Sequence, residues 1–311
     1  MLTGQLKYCF VILTLPAFYY MSKKSKKGQP VQVLLTPTYI LATGRILSKI
    51  SPYLASRYAA WLFLKPFRYK LPAREKELDD IMEHERKMVP AINRDIVVYK
   101  NFNANSGKRI LLAHGWSGRG TQMPDIALAL IQEGYEIISF DAPAHGRSSG
   151  KMSMMPYFID SIKFLDKHYG PFHGAIGHSL GGMSLLRAVK DGLDLQKLVI
   201  IGTANSVTHI TREFAQNMQL GHKVAKIMKS YFDKRFGEDM DNLSGAFSAE
   251  DVNIPTLVIH DEDDVDVEIS SAFEIKNSLK KGELFVTKDL GHRKILGNKK
   301  VINKITTFFR A

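Results

Sequence analysis

The pentapeptide Gly177-His178-Ser179-Leu180-Gly181 constrains this chain more than any other feature, because it matches the pattern G-x-S-x-G. That pattern places a serine on a sharp turn between a strand and a helix, with its hydroxyl group exposed. Side chains at Gly177 or Gly181 would collide with the neighbouring backbone in so tight a turn. The flanking sequence predicts the required setting, with a short buried strand over 172–177 and a helix of small residues over 180–189.

The second half of the chain alternates between two patterns that together predict a fold class. Short Val/Ile/Leu-rich segments alternate with amphipathic helical segments, which is typical of a mainly parallel sheet with helices on both faces. We therefore predict the α/β class, with a long helical insert at about 203–253 that forms a lid. The predicted strands are 96–99, 109–113, 136–140, 172–177, 198–201, 256–259 and 284–286, and the predicted helices are 124–132, 157–167, 180–190, 269–279 and 299–309.

The N-terminal part is predicted to lie outside this α/β domain, which we place at 95–311. Residues 1–30 form an apolar and basic tail, in which the apolar run 8–21 is interrupted by Pro16 and is too short for a simple membrane span. A short membrane anchor or interfacial segment, a tail that folds onto the domain or is disordered, and a cleaved signal all stay open. Residues 31–94 are predicted to be a helical extension, with a charged helix over 72–88. The apolar residues at helical spacing over 30–70 favour helices that cover one face of the domain over a membrane role.

Charge and cysteine content limit the partners and the compartment. The net charge is +12, and its basic residues are concentrated in the N-terminal third, which favours anionic phospholipid headgroups as a possible peripheral contact. No nucleic-acid reading module accompanies these charges, so we expect no nucleic-acid partner. The single cysteine, Cys9, excludes an internal disulfide and fits a reducing compartment. We expect a cytoplasmic protein, with membrane association through residues 1–30 left open.

Two further segments offer the partners that a nucleophilic serine needs. A serine hydroxyl requires a base to take its proton, and the base requires a carboxylate to hold it. Acidic residues follow the predicted strand 256–259, and Leu290-Gly291-His292 follows the last predicted strand. The chain order Ser, Asp, His is the order expected on a sheet of this kind.

From about residue 109 onward, the chain resembles the α/β-hydrolase fold family. The resemblance rests on four motifs in order. They are the strand end Ala113-His114-Gly115-Trp116, the loop Asp141-Ala142-Pro143-Ala144-His145-Gly146-Arg147-Ser148, the elbow GHSLGG at 177–182, and Leu290-Gly291-His292.

The resemblance implies a catalytic triad of Ser179, Asp264 and His292. The family often has glycine where Asp261 stands, with the acid three positions later, so Asp264 is favoured over Asp263 and Asp266. The backbone N–H groups of Trp116 and Leu180 are the implied oxyanion hole.

The implied function is that of a serine hydrolase that cleaves a small acyl ester, or an amide or thioester, through an acyl-enzyme. No cofactor and no metal is expected, since the acidic run lacks the glycine of a calcium loop. The alternatives are a non-catalytic ligand-binding protein of the same fold and a membrane-tethered interaction protein.

Other residues near these motifs have less certain roles. His114, His145 and His178 are expected to support the loops around the site rather than to carry protons. Aromatic and methionine side chains of the insert line an acyl pocket or simply pack on the sheet. These are Phe214, Met218, Met228, Phe232 and Phe236.

Overall fold

The central element of the computed structural model, which describes residues 36–102 and 107–311, is an eight-stranded sheet. The spatial order is β1-β2-β4-β3-β5-β6-β7-β8. Strands β3 to β8 run parallel, and β2 pairs antiparallel with both β1 and β4. The strands are β1 Glu83–Val89, β2 Arg94–Asn101, β3 Arg109–Ala113, β4 Glu136–Asp141, β5 Phe172–His178, β6 Leu195–Ile201, β7 Thr256–Asp261 and β8 Gly282–Thr287.

Helices cover both faces of the sheet. Successive strand residues point to opposite faces, so that Leu198 and Ile200 pack into one core cluster whereas Val199 and Ile201 pack into the other. Because both faces are covered, the central strands are apolar throughout and not alternating. The helices are α1 Thr38–Ile50, α2 Pro52–Phe63, α3 Lys76–Ile81, α4 Pro124–Gln132, α5 Met155–Tyr169, α6 Leu180–Lys190, α7 Val207–Asn217, α8 His222–Phe236, α9 Gly245–Ala249, α10 Ser270–Ser278, α11 Gly291–Lys294 and α12 Lys299–Arg310.

The predicted fold class and all seven predicted strands are confirmed. The helix predicted over 72–88 is wrong, because only α3 and a short 3₁₀ turn at Ala73–Glu75 are helical there and the chain then enters β1. Strand β1 is charged because it lies at the sheet edge and exposes most of its side chains. The proposed boundary at residue 94 therefore falls inside the β1–β2 hairpin.

The segment 203–253 contains helices α7, α8 and α9, and it packs with the N-terminal helices above the sheet. Helix α2 contributes Ala55, Ala59 and Ala60 to a third core cluster, which also contains Met228 and Phe232 of α8. Arg57 of α2 lies 3.4 Å from the ring centroid of Tyr231 on α8. The insert is helical as predicted, and its role as a lid stays a prediction.

Within residues 36–102 and 107–311, no helix is long and apolar enough to cross a membrane. The predictions for the tail 1–30 lie outside the described residues.

Candidate active site

The predicted nucleophile, Ser179, lies on the turn between β5 and α6. Its φ and ψ angles are 52° and −118°, a conformation that non-glycine residues rarely adopt and that is held by the surrounding structure. A Cβ atom at Gly177 would lie 2.5 Å from the Gly182 nitrogen, and one at Gly181 would lie 2.1 Å from the Ala113 oxygen. The Ser179 N–H donates to the Ile201 carbonyl at 2.8 Å, which ties the turn to the end of β6. The glycine argument made from the sequence is confirmed.

His292 and Asp264 form a buried pair at the carboxyl ends of β7 and β8. The Nδ1 atom of His292 lies 2.7 Å from Oδ2 of Asp264. The other carboxylate oxygen, Oδ1, accepts the backbone N–H groups of Asp266 and Val267, each at 2.9 Å. Because the carboxylate is an acceptor, Nδ1 carries the proton and Nε2 is left as the basic nitrogen of the neutral ring.

The environment of Asp264 favours its ionised form. Burial raises the pKa of Asp264, but the hydrogen bond from His292 and the nearby imidazole of His260 outweigh burial, so that the net pKa is lowered. A carboxylate that remains charged holds the ring orientation of His292 and stabilises an imidazolium when one forms.

The other carboxylates of the 261–266 run have separate partners. Asp261 accepts the N–H groups of Leu290 at 3.2 Å and of Gly291 at 2.8 Å, so it holds the loop that carries His292. Asp263 accepts the Asp289 N–H at 3.0 Å, and Asp266 pairs with Arg293 at 2.9 Å. Asp264 is thus the acid that is hydrogen-bonded to His292, and the carboxylate of Asp266 lies within 4.8 Å of the imidazole. The anchoring role of Asp261 was not predicted from the sequence.

Ser179 and His292 line the same cavity. Among the residues that the structure describes, no hydrogen bond joins Ser179 Oγ to the imidazole ring of His292. Hydrogen bonds between a nucleophile and its base often form only when substrate binds. A Cβ atom at Gly202, whose φ is +57°, would lie 3.1 Å from His292 Nδ1. The glycine therefore makes room for the ring beside the end of β6.

The two predicted oxyanion donors belong to segments next to the serine. Leu180 is the first residue of α6, where N–H groups have no acceptor within their own helix. Trp116 follows Gly115, at which a Cβ atom would lie 3.1 Å from Ser179 Cβ, so this loop packs directly against the elbow. The Gly115 N–H is occupied by the Gln122 side chain at 2.8 Å. The arrangement is compatible with the predicted hole, which stays a prediction.

Buried histidines support these loops. His114 accepts the Ala142 N–H at Nε2 at 3.0 Å, so its Nδ1 carries the proton and donates to the Gly115 carbonyl at 2.7 Å. Burial lowers the pKa of His114 to about 4, which keeps the ring neutral. His178 lies 2.9 Å from the His292 carbonyl through Nε2, and burial lowers its pKa well below the usual value. Both residues hold loops of the site, as expected from the sequence.

His260 belongs to the site and was not predicted. Its Nε2 atom lies 2.9 Å from the Val267 carbonyl and 3.6 Å from Asp264 Oδ2. Burial lowers the pKa of His260. Its position near the end of β7, four residues before Asp264, could have indicated from the sequence that it lies at the site.

The loop 141–148 is fixed by its first residue. The carboxylate of Asp141 accepts the Tyr99 hydroxyl at 2.9 Å, the Gly120 N–H at 2.7 Å and the Arg147 N–H at 2.6 Å. Gly120 follows the strand-end motif 113–116, and Arg147 belongs to the loop 141–148. The carboxylate of Asp141 therefore joins these two loops. Its role is therefore structural.

A cavity of about 310 Å³ opens above Ser179. Four of the five predicted side chains of the insert line it, whereas Met228 is buried in the adjacent core cluster. Helix α2 and the residues after it form part of the wall, which the sequence did not predict. The apolar lining includes Leu62, Phe63, Leu64, Met154, Met155, Met183, Phe214, Met218, Phe232 and Phe236.

Within the described part of the chain, two groups of side chains have atoms close enough to share a metal ion. Asp264, Asp266 and His292 form one group, and their contacts are those already described. His209, Glu213 and Glu268 form the other at the cavity wall, where His209 lies 3.3 Å from Glu213. Burial raises the pKa of Glu213. In both groups, the observation is only that the possible ligand atoms lie within 4.8 Å of one another, and we assign no metal ion to either.

Comparisons with known proteins agree with the fold. A family model described as serine aminopeptidase, S33, matches residues 104–236. A non-heme haloperoxidase of Rhodococcus erythropolis is 26% identical over 258 residues, which cover 67% of this chain and 93% of that protein. An esterase of Pyrococcus furiosus superposes with a TM-score of 0.61 at 19% identity, covering 79% of this chain and 97% of the esterase. An esterase of Exiguobacterium antarcticum gives 0.57 at 15%, covering 74% and 100%.

The sheet, the elbow and these likenesses show that the chain has the α/β-hydrolase fold. The family model and the Rhodococcus relative further identify it as an enzyme of the α/β-hydrolase class.

Proposed function

We propose that this protein is a serine hydrolase that cleaves carboxylic esters through an acyl-enzyme intermediate. Ser179 is the nucleophile, His292 the general base and acid, and Asp264 the residue that orients His292. The observation that carries the proposal is the buried His292–Asp264 pair at 2.7 Å, placed on the same cavity as a serine on a strained turn.

The reaction follows from the tautomer of His292. Its Nε2 atom takes the Ser179 proton as Oγ attacks the carbonyl carbon of the ester, and a tetrahedral intermediate forms. The imidazolium then gives that proton to the departing alcohol, which leaves Ser179 acylated. Water enters, loses a proton to Nε2 and attacks the acyl carbon, and the carboxylic acid departs as Ser179 recovers its proton.

Preorganised donors stabilise the negative oxygen of both tetrahedral intermediates. We assign this role to the N–H groups of Trp116 and Leu180, the latter with the added field of the α6 N-terminus. A donor of this type contributes roughly 3–4 kcal/mol to transition-state stabilisation.

The cavity supports an apolar acyl group as the substrate portion bound next to Ser179. Its volume of about 310 Å³ lies at the lower end of the range for small-molecule sites, and its wall is largely aliphatic, aromatic and thioether side chains. Esters are favoured over amides because the alcohol leaves more easily than an amine. The esterases among the similar structures agree with this choice.

Labelling with a fluorophosphonate probe tests the nucleophile. We expect wild-type protein to be labelled and Ser179→Ala to lose both labelling and ester hydrolysis, the latter by roughly 10⁴–10⁶-fold. Ser153→Ala is the matched control, since Ser153 is a buried serine that lines the same cavity, and the variant should leave labelling intact.

Two outcomes would contradict the proposal. Folded wild-type protein that neither reacts with the probe nor hydrolyses any ester would favour the ligand-binding alternative. Hydrolysis that persists in Ser179→Ala would assign the reaction to another group.

A further inference from the structure

The excess of positive over negative charge in this protein is confined to its N-terminal quarter. Residues 1–74 contain twelve Lys or Arg and no Asp or Glu, whereas residues 75–311 contain 31 of each. The net charge of +12 therefore arises entirely before Glu75. In the part of the chain that the structure describes, seven of these cations lie between residues 36 and 74, namely Arg45, Lys49, Arg57, Lys65, Arg68, Lys70 and Arg74.

Helices α1 and α2 also expose large apolar side chains that are usually buried. The exposed fractions run from 47% to 70% for Tyr39, Ile46, Ile50, Tyr53, Leu54 and Trp61. Isolated exposed apolar residues are common, but six within 23 consecutive positions form a patch of the kind that marks an interaction site.

The spacing places these side chains on one side of each helix. Tyr39, Ile46 and Ile50 follow at intervals of seven and four residues along α1, while Leu47 faces the protein core. On α2, Leu54 and Trp61 are seven residues apart. The two stripes meet where α1 joins α2, since Ile50, Tyr53 and Leu54 lie within five positions. We call this exposed side of α1 and α2 the N-terminal face.

Cations flank the apolar stripes. Arg45 and Lys49 are both exposed and lie one position before Ile46 and Ile50, so they border the α1 stripe. The ammonium group of Lys65 lies 3.3 Å from the ring centroid of Trp61, at the end of the α2 stripe. Apolar and aromatic side chains bordered by Lys and Arg are the pattern of helices that lie in the headgroup region of a membrane.

We propose that the N-terminal face docks on the surface of an anionic lipid bilayer. Its cations would contact lipid phosphates and its apolar side chains would enter the headgroup–acyl boundary. A nucleic acid would use the cations but would gain nothing from the exposed Ile46, Ile50 and Leu54. Charge complementarity and apolar exposure together therefore select the bilayer as the occupant.

The position of the face has a consequence for the cavity. Residues Leu62, Phe63 and Leu64, which directly follow Trp61, line the cavity above Ser179. Docking would therefore bring the cavity wall close to the lipid surface. The docking itself does not depend on the proposed ester hydrolysis.

Vesicle co-sedimentation of the full chain tests the charge contribution. Phosphatidylcholine vesicles with and without phosphatidylglycerol are the probes. We expect binding only to the anionic vesicles, with a loss at high salt. Arg45→Glu/Lys49→Glu should weaken that binding roughly tenfold or more. Lys299→Glu/Lys300→Glu, which reverses two exposed cations elsewhere, is the matched control and should bind as wild type.

A second pair of variants tests the apolar contribution. Ile46→Ser/Ile50→Ser should weaken binding to the anionic vesicles roughly fivefold or more, since two aliphatic groups that would enter the bilayer are removed. Met88→Ser, at a half-exposed apolar residue on β1, should have no effect. All variants should hydrolyse a short-chain soluble ester as wild type, which shows that the fold is intact.

Four results would overturn the proposal. The first is wild-type binding to both vesicle types alike or to neither. The second is unchanged binding by both face variants, with loss only when Lys23, Lys24, Lys26 and Lys27 are replaced by Gln. The third is a wild-type dimer that the face variants convert to a monomer while vesicle binding is unchanged. The fourth is displacement of the protein from vesicles by duplex DNA at lower concentrations than by lipid.

Discussion

Charged side chains are arranged differently at the carboxyl ends of the strands, where the candidate triad lies, and on the N-terminal face. At the carboxyl ends of β7 and β8, Asp261 and Asp264 are buried and each accepts hydrogen bonds from defined donors. On the N-terminal face, cations such as Arg45 and Lys49 are exposed and no acidic residue accompanies them in residues 36–74. The first arrangement fixes geometry, and the second leaves charge available to a partner.

The difference also shows in the apolar residues. Ile200 of β6 is fully buried between layers, whereas Ile50 of α1 is 69% exposed. Burial at the sheet stabilises the fold, since it removes apolar surface from water, while exposure at the face contributes little to stability. Residues that stabilise the fold and residues proposed to contact a partner thus lie in different parts of the chain. Substitutions in each part test that separation.

The largest expected effect is at the candidate triad. Asp264→Asn should lower kcat for ester hydrolysis by about 10⁴-fold, because the neutral amide no longer fixes the Nδ1–H tautomer of His292. Steady-state kinetics with an intact circular dichroism spectrum provide the measurement. Asp263→Asn is the matched control and should retain activity within a small factor, since Asp263 contacts Asp289 instead. Equal losses in the two variants would remove Asp264 from its assigned role.

A matched pair of isoleucines should show the next largest effect. Ile200→Ala should lower the free energy of unfolding by about 2–5 kcal/mol, because it leaves a cavity in the core. Ile50→Ala should change it by less than about 0.5 kcal/mol. Urea denaturation of both variants measures the difference. A similar loss in the two variants would show that Ile50 is covered by another part of the protein.

The third effect depends on pH and is confined to the buried histidines. The folded-state pKa of His114 is about 4, below the value of about 6.5 in an unfolded chain. The neutral ring therefore stabilises the fold above pH 6.5, and this contribution is lost as the pH falls towards 4. The shift corresponds to about 3 kcal/mol.

Denaturation of wild type and His114→Gln at a series of pH values measures this contribution. The fall in unfolding free energy between pH 6.5 and 4 should be smaller in the variant by about that amount. Identical pH profiles would show that His114 is not the neutral buried ring described here.

Much of the fold and of the candidate site was predictable because its signals are local. Buried parallel strands are apolar runs such as that of β6, and the elbow requires glycines at positions that five residues define. The pairing of Asp264 with His292 spans 28 positions and rested on the resemblance to a family, and the structure agrees with it.

The missed features depend on long-range contacts. Strand β1 is charged and was predicted to be helical, since nothing in its own sequence shows that Arg94–Asn101 would pair with it. The anchoring role of Asp261 depends on a loop thirty positions away. The contribution of Leu62 and Phe63 to the cavity wall required the packing of α2 on α8, which the periodicity of α2 cannot reveal.

Residues 62–65 and Phe67 form a part of the cavity wall that lies apart, along the chain, from the candidate reacting groups. These positions precede the stretch 104–236 that the family model matches, and they lie far in sequence from Asp264 and His292. Under the proposed function, an exchange of this short segment between related hydrolases would alter which acyl chains are accepted while Ser179, Asp264 and His292 stay the same. New substrate ranges could then arise by recombination upstream of the sequence that encodes the proposed triad.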